Sequence, residues 1–73
     1  MRTFKLVRII DDSGVSGTGV VAEGVLFSND AVVISWLTEH QSLGIYPSME
    51  ELIAIHGHGG HTVVEYDLNG YGV

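Results

Sequence analysis

The groups in this chain best suited to chemistry are gathered in His56-Gly57-His58-Gly59-Gly60-His61-Thr62, which holds three of its four histidines and three of its ten glycines. Imidazoles spaced as His-x-His on an extended segment can approach a metal from one side with a third nitrogen nearby, so His56, His58 and His61 form a candidate metal set. The glycines suggest a different chemistry. Gly57, Gly59 and Gly60 can turn several backbone amides towards one anion, and Gly14-Val15-Ser16-Gly17-Thr18-Gly19 can do the same with two hydroxyls added. Ser16, Gly17, Thr18, Gly19, His56, His58, Gly59 and Gly60 are therefore candidates to hold the phosphate or ribose oxygens of a small ligand, with Trp36 or Tyr46 stacking on its ring.

Each candidate has a plainer alternative. Neither glycine run is a phosphate loop, because no Gly-Lys-Ser/Thr and no strand-to-helix entry accompanies it. Helix polarity is also adverse. Glu50 and Glu51 front the helix start and the Gly57 end is electronegative, so an anion there needs a protonated His56 or His58, or Arg8 nearby. Two flexible connections and a helix stop use the same residues. A lone Trp on a strand is more often core or interface than a ligand platform. The histidine spacing resembles the His-x-His-x-Asp-His run of metallo-β-lactamase-like hydrolases, but Gly60 stands in place of the aspartate, and 73 residues cannot build that fold. If His56 closes a helix, the three rings diverge. No Ser-His-Asp or Cys-His order and no carboxylate pair of recognisable spacing is present. The expectation is a binding protein with no catalytic residues and no cofactor, and a histidine-metal domain or small metal enzyme is the alternative.

Positioning these groups falls to a single domain over residues 1–73. A chain this short buries only about 60% of its unfolded surface and needs a further staple. With no cysteine, disulfides and thiolate zinc are excluded, leaving a well-packed core, a histidine metal site or self-association. Nine acids face three bases, Arg2, Lys5 and Arg8, for a net charge of −6. Such a chain repels phosphate backbones, which argues against a nucleic-acid polymer as partner and suits a basic host protein. Met1-Arg2-Thr3-Phe4-Lys5 is followed by no apolar run long enough for a signal or membrane span, which predicts a cytoplasmic protein with no membrane partner.

Residues 4–10 alternate as a strand, 11–19 read as a loop, and 20–27 resume as a strand in which Gly24 signals a bulge or a close backbone approach. Ser28-Asn29-Asp30 predicts a hairpin into a strand over 31–37, with Val32, Ile34 and Trp36 on one face. Ile45-Tyr46 suggests a short edge strand before Pro47. Residues 48–55 form the helix, with Ser48 and Glu51 as a capping box and Gly57 suited to a left-handed C′ position. Residues 61–68 make the last strand, and 68–73 have little to pin them. The order is β-β-β-(β)-α-β: an α+β domain with a small antiparallel sheet of about four strands and one short helix. One helix of about two turns cannot cover both faces of that sheet. An apolar face then stays wet in a monomer, which predicts a homo-oligomer, dimer or higher.

Ser13-Gly14-Val15-Ser16-Gly17-Thr18-Gly19, Val21-Ala22-Glu23-Gly24-Val25 with Phe27, then Trp36, Tyr46 and Ile55-His56-Gly57-His58-Gly59-Gly60 together resemble a family of small proteins found in actinobacterial and other phages and in their hosts. The likeness covers about residues 4–66. Members have a Gly-containing hairpin in place of Asn29-Asp30 and a different residue at 61, which makes the third histidine particular to this chain. The resemblance implies a phage protein acting in the host cytoplasm with a counter-defence role. Small phage proteins of this kind include the anti-CBASS and anti-Thoeris sponges, oligomers that sequester cyclic nucleotides or cyclic ADP-ribose at subunit boundaries without cleaving them. The expectation that follows is a homo-oligomeric protein that captures a small nucleotide-like immune signal. The alternative is an acidic inhibitor of a basic host protein, an anti-CRISPR or DNA mimic acting through Glu39, Glu50, Glu65 and Asp67.

Overall fold

The computed structural model describes residues 1–11, 18–37 and 41–67. Along the chain come β1 (Arg2–Arg8), β2 (Gly19–Leu26), β3 (Val32–Trp36), β4 (Leu43–Tyr46), α1 (Met49–His56), a 3-10 turn (His58–Gly60) and β5 (Thr62–Tyr66). Every strand pair is antiparallel, and the spatial order is β4-β3-β2-β1-β5. The α+β class stands, with five strands rather than about four. The segment before Pro47 is a full edge strand, and α1 carries the chain across one face so that β5 closes the opposite edge beside β1.

Alternation explains the core. Phe4 and Leu6 of β1, Ala22 of β2, and Val32 and Ile34 of β3 point to the face that α1 covers, and each is at most 2% exposed. Leu52 is the one fully buried residue of α1, and Met49 packs beside it against the core. Leu6 pairs with Ala22 but Val7 pairs with Val20, which leaves Val21 as an extra residue. The bulge therefore lies at Val21, and both Val21 and Ala22 are buried. Gly24 marks a close approach instead. It lies between Phe4 and Ile34 in register. A Cβ there would sit 2.5 Å from the Phe4 ring and 2.7 Å from the Val33 carbonyl oxygen.

The turn and cap chemistry is local. In the hairpin from β2 to β3, the Phe27 N–H donates to the Ala31 carbonyl at 2.8 Å, Asn29 Oδ1 accepts from the Ala31 N–H at 3.1 Å, and Asp30 is left-handed at φ 74°. Ser48 caps α1, its Oγ accepting from the Glu51 N–H at 3.2 Å. Gly57 departs from the left-handed C′ expectation: its φ of −73° and ψ of −23° are right-handed. It is needed for space, since a Cβ would lie 2.6 Å from the Ile53 carbonyl oxygen. Left-handed geometry passes to His58, Gly59 and Gly60. The Gly57 carbonyl then accepts from both the Gly60 and Thr62 N–H groups at 3.0 Å, which ties the helix end to the start of β5.

No described element covers the second sheet face. Its cross-strand rows run Ile45–Val33–Val25–Thr3 and Leu43–Ser35–Glu23–Lys5–Glu65. The open face is thus the one opposite Val32, Ile34 and Trp36. No described helix is long and apolar enough to cross a membrane. The tail read at 68–73 lies outside the described residues.

Candidate functional site

Arg8, the last residue of β1, has Gly19 as its register partner on one side and Thr62 on the other. The His61 carbonyl accepts from the Ile9 and Ile10 N–H groups at 2.8 and 3.2 Å. Both glycine-bearing connections therefore leave the sheet at one end, on either side of β1. Thr18 is exposed there, and Gly19 opens β2 with φ 110°. Ser16 and Gly17 lie outside the described residues. Trp36 ends β3 at this same end, since its partner Ala22 pairs in turn with Leu6.

Trp36 meets His56, the last residue of α1, with ring centroids 4.9 Å apart at 69°. Tyr46 starts from the far end of β3, opposite Val32. Its ring doubles back over Gly44, where a Cβ would lie 2.7 Å from the hydroxyl and 2.9 Å from a ring carbon. That brings the Tyr46 hydroxyl to His56 Nε2 at 2.7 Å, with the rings 5.6 Å apart at 86°. Burial, and secondarily the nearby His58, holds the His56 pKa below the ordinary 6.5. His56 is thus neutral near pH 7, with one nitrogen engaged by Tyr46.

His58, Gly59 and Gly60 form the exposed 3-10 turn that follows. His56 is engaged by Tyr46, and His58 follows in a left-handed turn. Among the described residues, no group of three or more His, Asp or Glu side chains is placed to hold a metal. Gly57, Gly59 and Gly60 instead line a groove of about 520 Å³ with Ile53 and Ala54 of α1 and Thr62, Val63 and Val64 of β5. Thr62 is 6% exposed, and its Oγ1 is buried without a hydrogen-bond partner.

Two of the three bases are engaged away from this end. The Arg2 guanidinium lies 3.9 Å from the Tyr66 ring centroid. Lys5 Nζ lies 2.6 Å from Asp67 Oδ1 on the open face, and the Thr3 hydroxyl donates to the other carboxylate oxygen. Arg8 is the base at the glycine end.

The profile of the Acb5 phage protein family matches residues 1–67, which include both glycine runs and all five strands. The chain belongs to this family. No curated protein and no solved structure matches it.

In this Acb5 family member, three of the residues singled out separately in the sequence, Trp36, Tyr46 and His56, are in mutual contact through His56. Arg8 and Thr62 join the site by strand register, and Gly44 by the room it leaves for Tyr46. A glycine two residues before Tyr46 on a short edge strand was the only sequence signal for the last of these. Thr62 closes the histidine-glycine run, but its buried, unpartnered hydroxyl had no local signal.

Proposed function

We propose that this phage protein is a counter-defence binding protein that captures a small nucleotide-like immune signal, a cyclic nucleotide or cyclic ADP-ribose, in the host cytoplasm without cleaving it. The reading rests on the shared end of the sheet, where Gly19 and Thr62 flank Arg8, and where Trp36 meets His56 with Tyr46 reaching in from the far end of β4. Phosphate and ribose oxygens would meet Ser16, Thr18 and the amides of Gly17, Gly19, Gly59 and Gly60, with Arg8 supplying the charge that the helix end withholds. Trp36 or Tyr46 would stack on the base, and His56 and His58 would donate hydrogen bonds. Membership of a phage protein family is consistent with an anti-defence role.

Isothermal titration against cyclic dinucleotides and cyclic ADP-ribose tests the reading. The expected result is saturable heat with at least one ligand, chromatographic recovery of that ligand intact, and affinity at least about tenfold weaker in Arg8→Gln, equivalent to about 1.4 kcal/mol. No heat with any ligand, or return of a cleaved product, overturns it.

One observation favours a second reading, a basic host protein as partner. Glu23 and Glu65 flank Lys5 in register, and Asp67 pairs with it, so three acids surround one base on the open face. Under that reading Glu23→Lys with Glu65→Lys abolishes protection of an infecting phage while Arg8→Gln keeps it. Ligand capture predicts the reverse.

A further inference from the structure

The two edges of the sheet are unlike. β5 carries Glu65 and is followed by Asp67, and charges of this kind keep a bare edge from pairing. β4 reads Leu43-Gly44-Ile45-Tyr46, with no charge, proline or bulge. Leu43 is 72% and Ile45 76% exposed, more than any other large apolar residue described. Backbone direction follows from one bond, the Trp36 N–H donating to the Ser42 carbonyl at 2.9 Å. Hydrogen-bonded pairs alternate along an antiparallel ladder, so in the same register Ile34–Gly44 and Val32–Tyr46 are the bonded pairs. The N–H and C=O groups of Leu43 and Ile45 therefore point off the edge.

We propose that a second copy of this chain pairs at that edge, β4 to β4, antiparallel about Gly44. Leu43 of each copy then faces Ile45 of the other, and the four outward N–H groups and carbonyls on each side satisfy one another in four hydrogen bonds. The same register sets the four side chains together on the open face as one apolar cluster. The edge is self-complementary about Gly44, which favours a copy, and its lack of charge lets two acidic chains meet there. Each chain carries a net −6, and two copies can meet only where like charges do not face. β4 is uncharged, and the row Glu23–Lys5–Glu65 lies on β2, β1 and β5, away from the axis. A basic foreign strand finds no acid on β4 to recognise.

The side chains contribute on the order of 300 Å² of buried apolar surface, about a fifth of a standard interface, so the pair is weak and concentration-dependent. The pairing stands whether or not a ligand is captured, but it alters the site. On the helix face the axis passes Gly44, over which each Tyr46 ring lies. The two rings come side by side, and each copy walls the other's Tyr46–His56 contact.

Sedimentation velocity of the whole chain from about 10 µM to about 1 mM reads the association. A shift from monomer to dimer is expected, and a monomer throughout overturns the proposal. Ile45→Pro removes only an outward N–H and leaves the bonds to β3, so it is expected to keep its far-ultraviolet circular dichroism and remain monomeric. A folded Ile45→Pro that dimerises like the parent refutes edge pairing. The register has its own test in a chain without cysteine. Leu43→Cys and Ile45→Cys, each alone, place their thiols diagonally and too far apart to bridge, whereas an oxidised mixture of the two yields a mixed disulfide dimer. Single variants that cross-link as readily as the mixture, or a mixture that does not cross-link, overturn the pairing about Gly44.

Discussion

The two faces of the sheet are held by different means. On the helix face Phe4, Leu6, Ala22, Val32, Ile34 and Leu52 exclude water almost completely, and no charge lies among them. On the open face the Lys5–Asp67 pair, Glu23 and Glu65 share the surface with Val25, Val33, Leu43 and Ile45. Stability is concentrated on the first face because burial of apolar area outweighs surface charge pairing by several-fold per residue. The second face is left free to meet something else. The candidate site lies where the covered face runs out, at the last residues of β3 and α1, with Tyr46 folding back to it from the far end of β4, so its side chains are held by the core and still reach solvent.

The strongest way to break this contrast is to open the covered face. Leu52→Ala removes the one buried helix anchor and is expected to cost about 2–5 kcal/mol, read from the urea midpoint. A loss below about 1 kcal/mol would show that α1 does not keep that face dry. Gly24→Ala pushes a methyl group into the Phe4 ring and the Val33 carbonyl, with an expected cost of about 1–3 kcal/mol in the same assay. Tyr46→Phe removes the bond to His56 and is expected to cost about 0.5–1.5 kcal/mol, with a shift of the His56 ring resonances.

Acid sharpens the same contrast at the boundary between the faces. The folded pKa of His56 lies below 6.5, so between those two values the unfolded chain binds more protons, and stability falls as pH drops through that window. Replacing His56 with Gln is expected to flatten this slope, measured as urea midpoints from neutral to mildly acidic pH. The smallest effect belongs to the open face. The hydrogen bond from Lys5, then that from Thr3, holds the Asp67 carboxyl below its usual range, and Asp67 holds the Lys5 ammonium above its own. The contribution is present in full between the ordinary values, 3.8 for the carboxyl and 10.5 for the ammonium. It is lost as pH falls from 3.8 through the lowered pKa of Asp67, or rises from 10.5 through the raised pKa of Lys5. Lys5→Ala should move the midpoint less than any variant above, and added salt should shrink the difference further.

Those elements whose causes are local could be read directly from the residues. Ser48 and Glu51 announced the helix start, Asn29-Asp30 the hairpin, and alternation the strands. Sheet order could not be read, because β5 reaches β1 only through pairing between residues more than fifty positions apart in the chain. Gly57 shows a second limit. Room beside the Ile53 carbonyl and a left-handed backbone both select glycine, and the residue type does not say which applies. In the site, Trp36, Tyr46 and His56 could each be picked out by type, but their contact depends on Tyr46 folding back along its own strand. Ser16 and Gly17 lie outside the described residues.

α1 leaves β4 through Pro47 and Ser48, and its far end is tied to β5 by the Gly57 carbonyl. It is a crossbar fastened to both borders of the sheet. His56 is joined to Tyr46 by a hydrogen bond and, through the next residue's carbonyl, to Thr62, so one residue links the two rims of the sheet. Leu52 is buried between those two fastenings, with Met49 packed against the core at the β4 end.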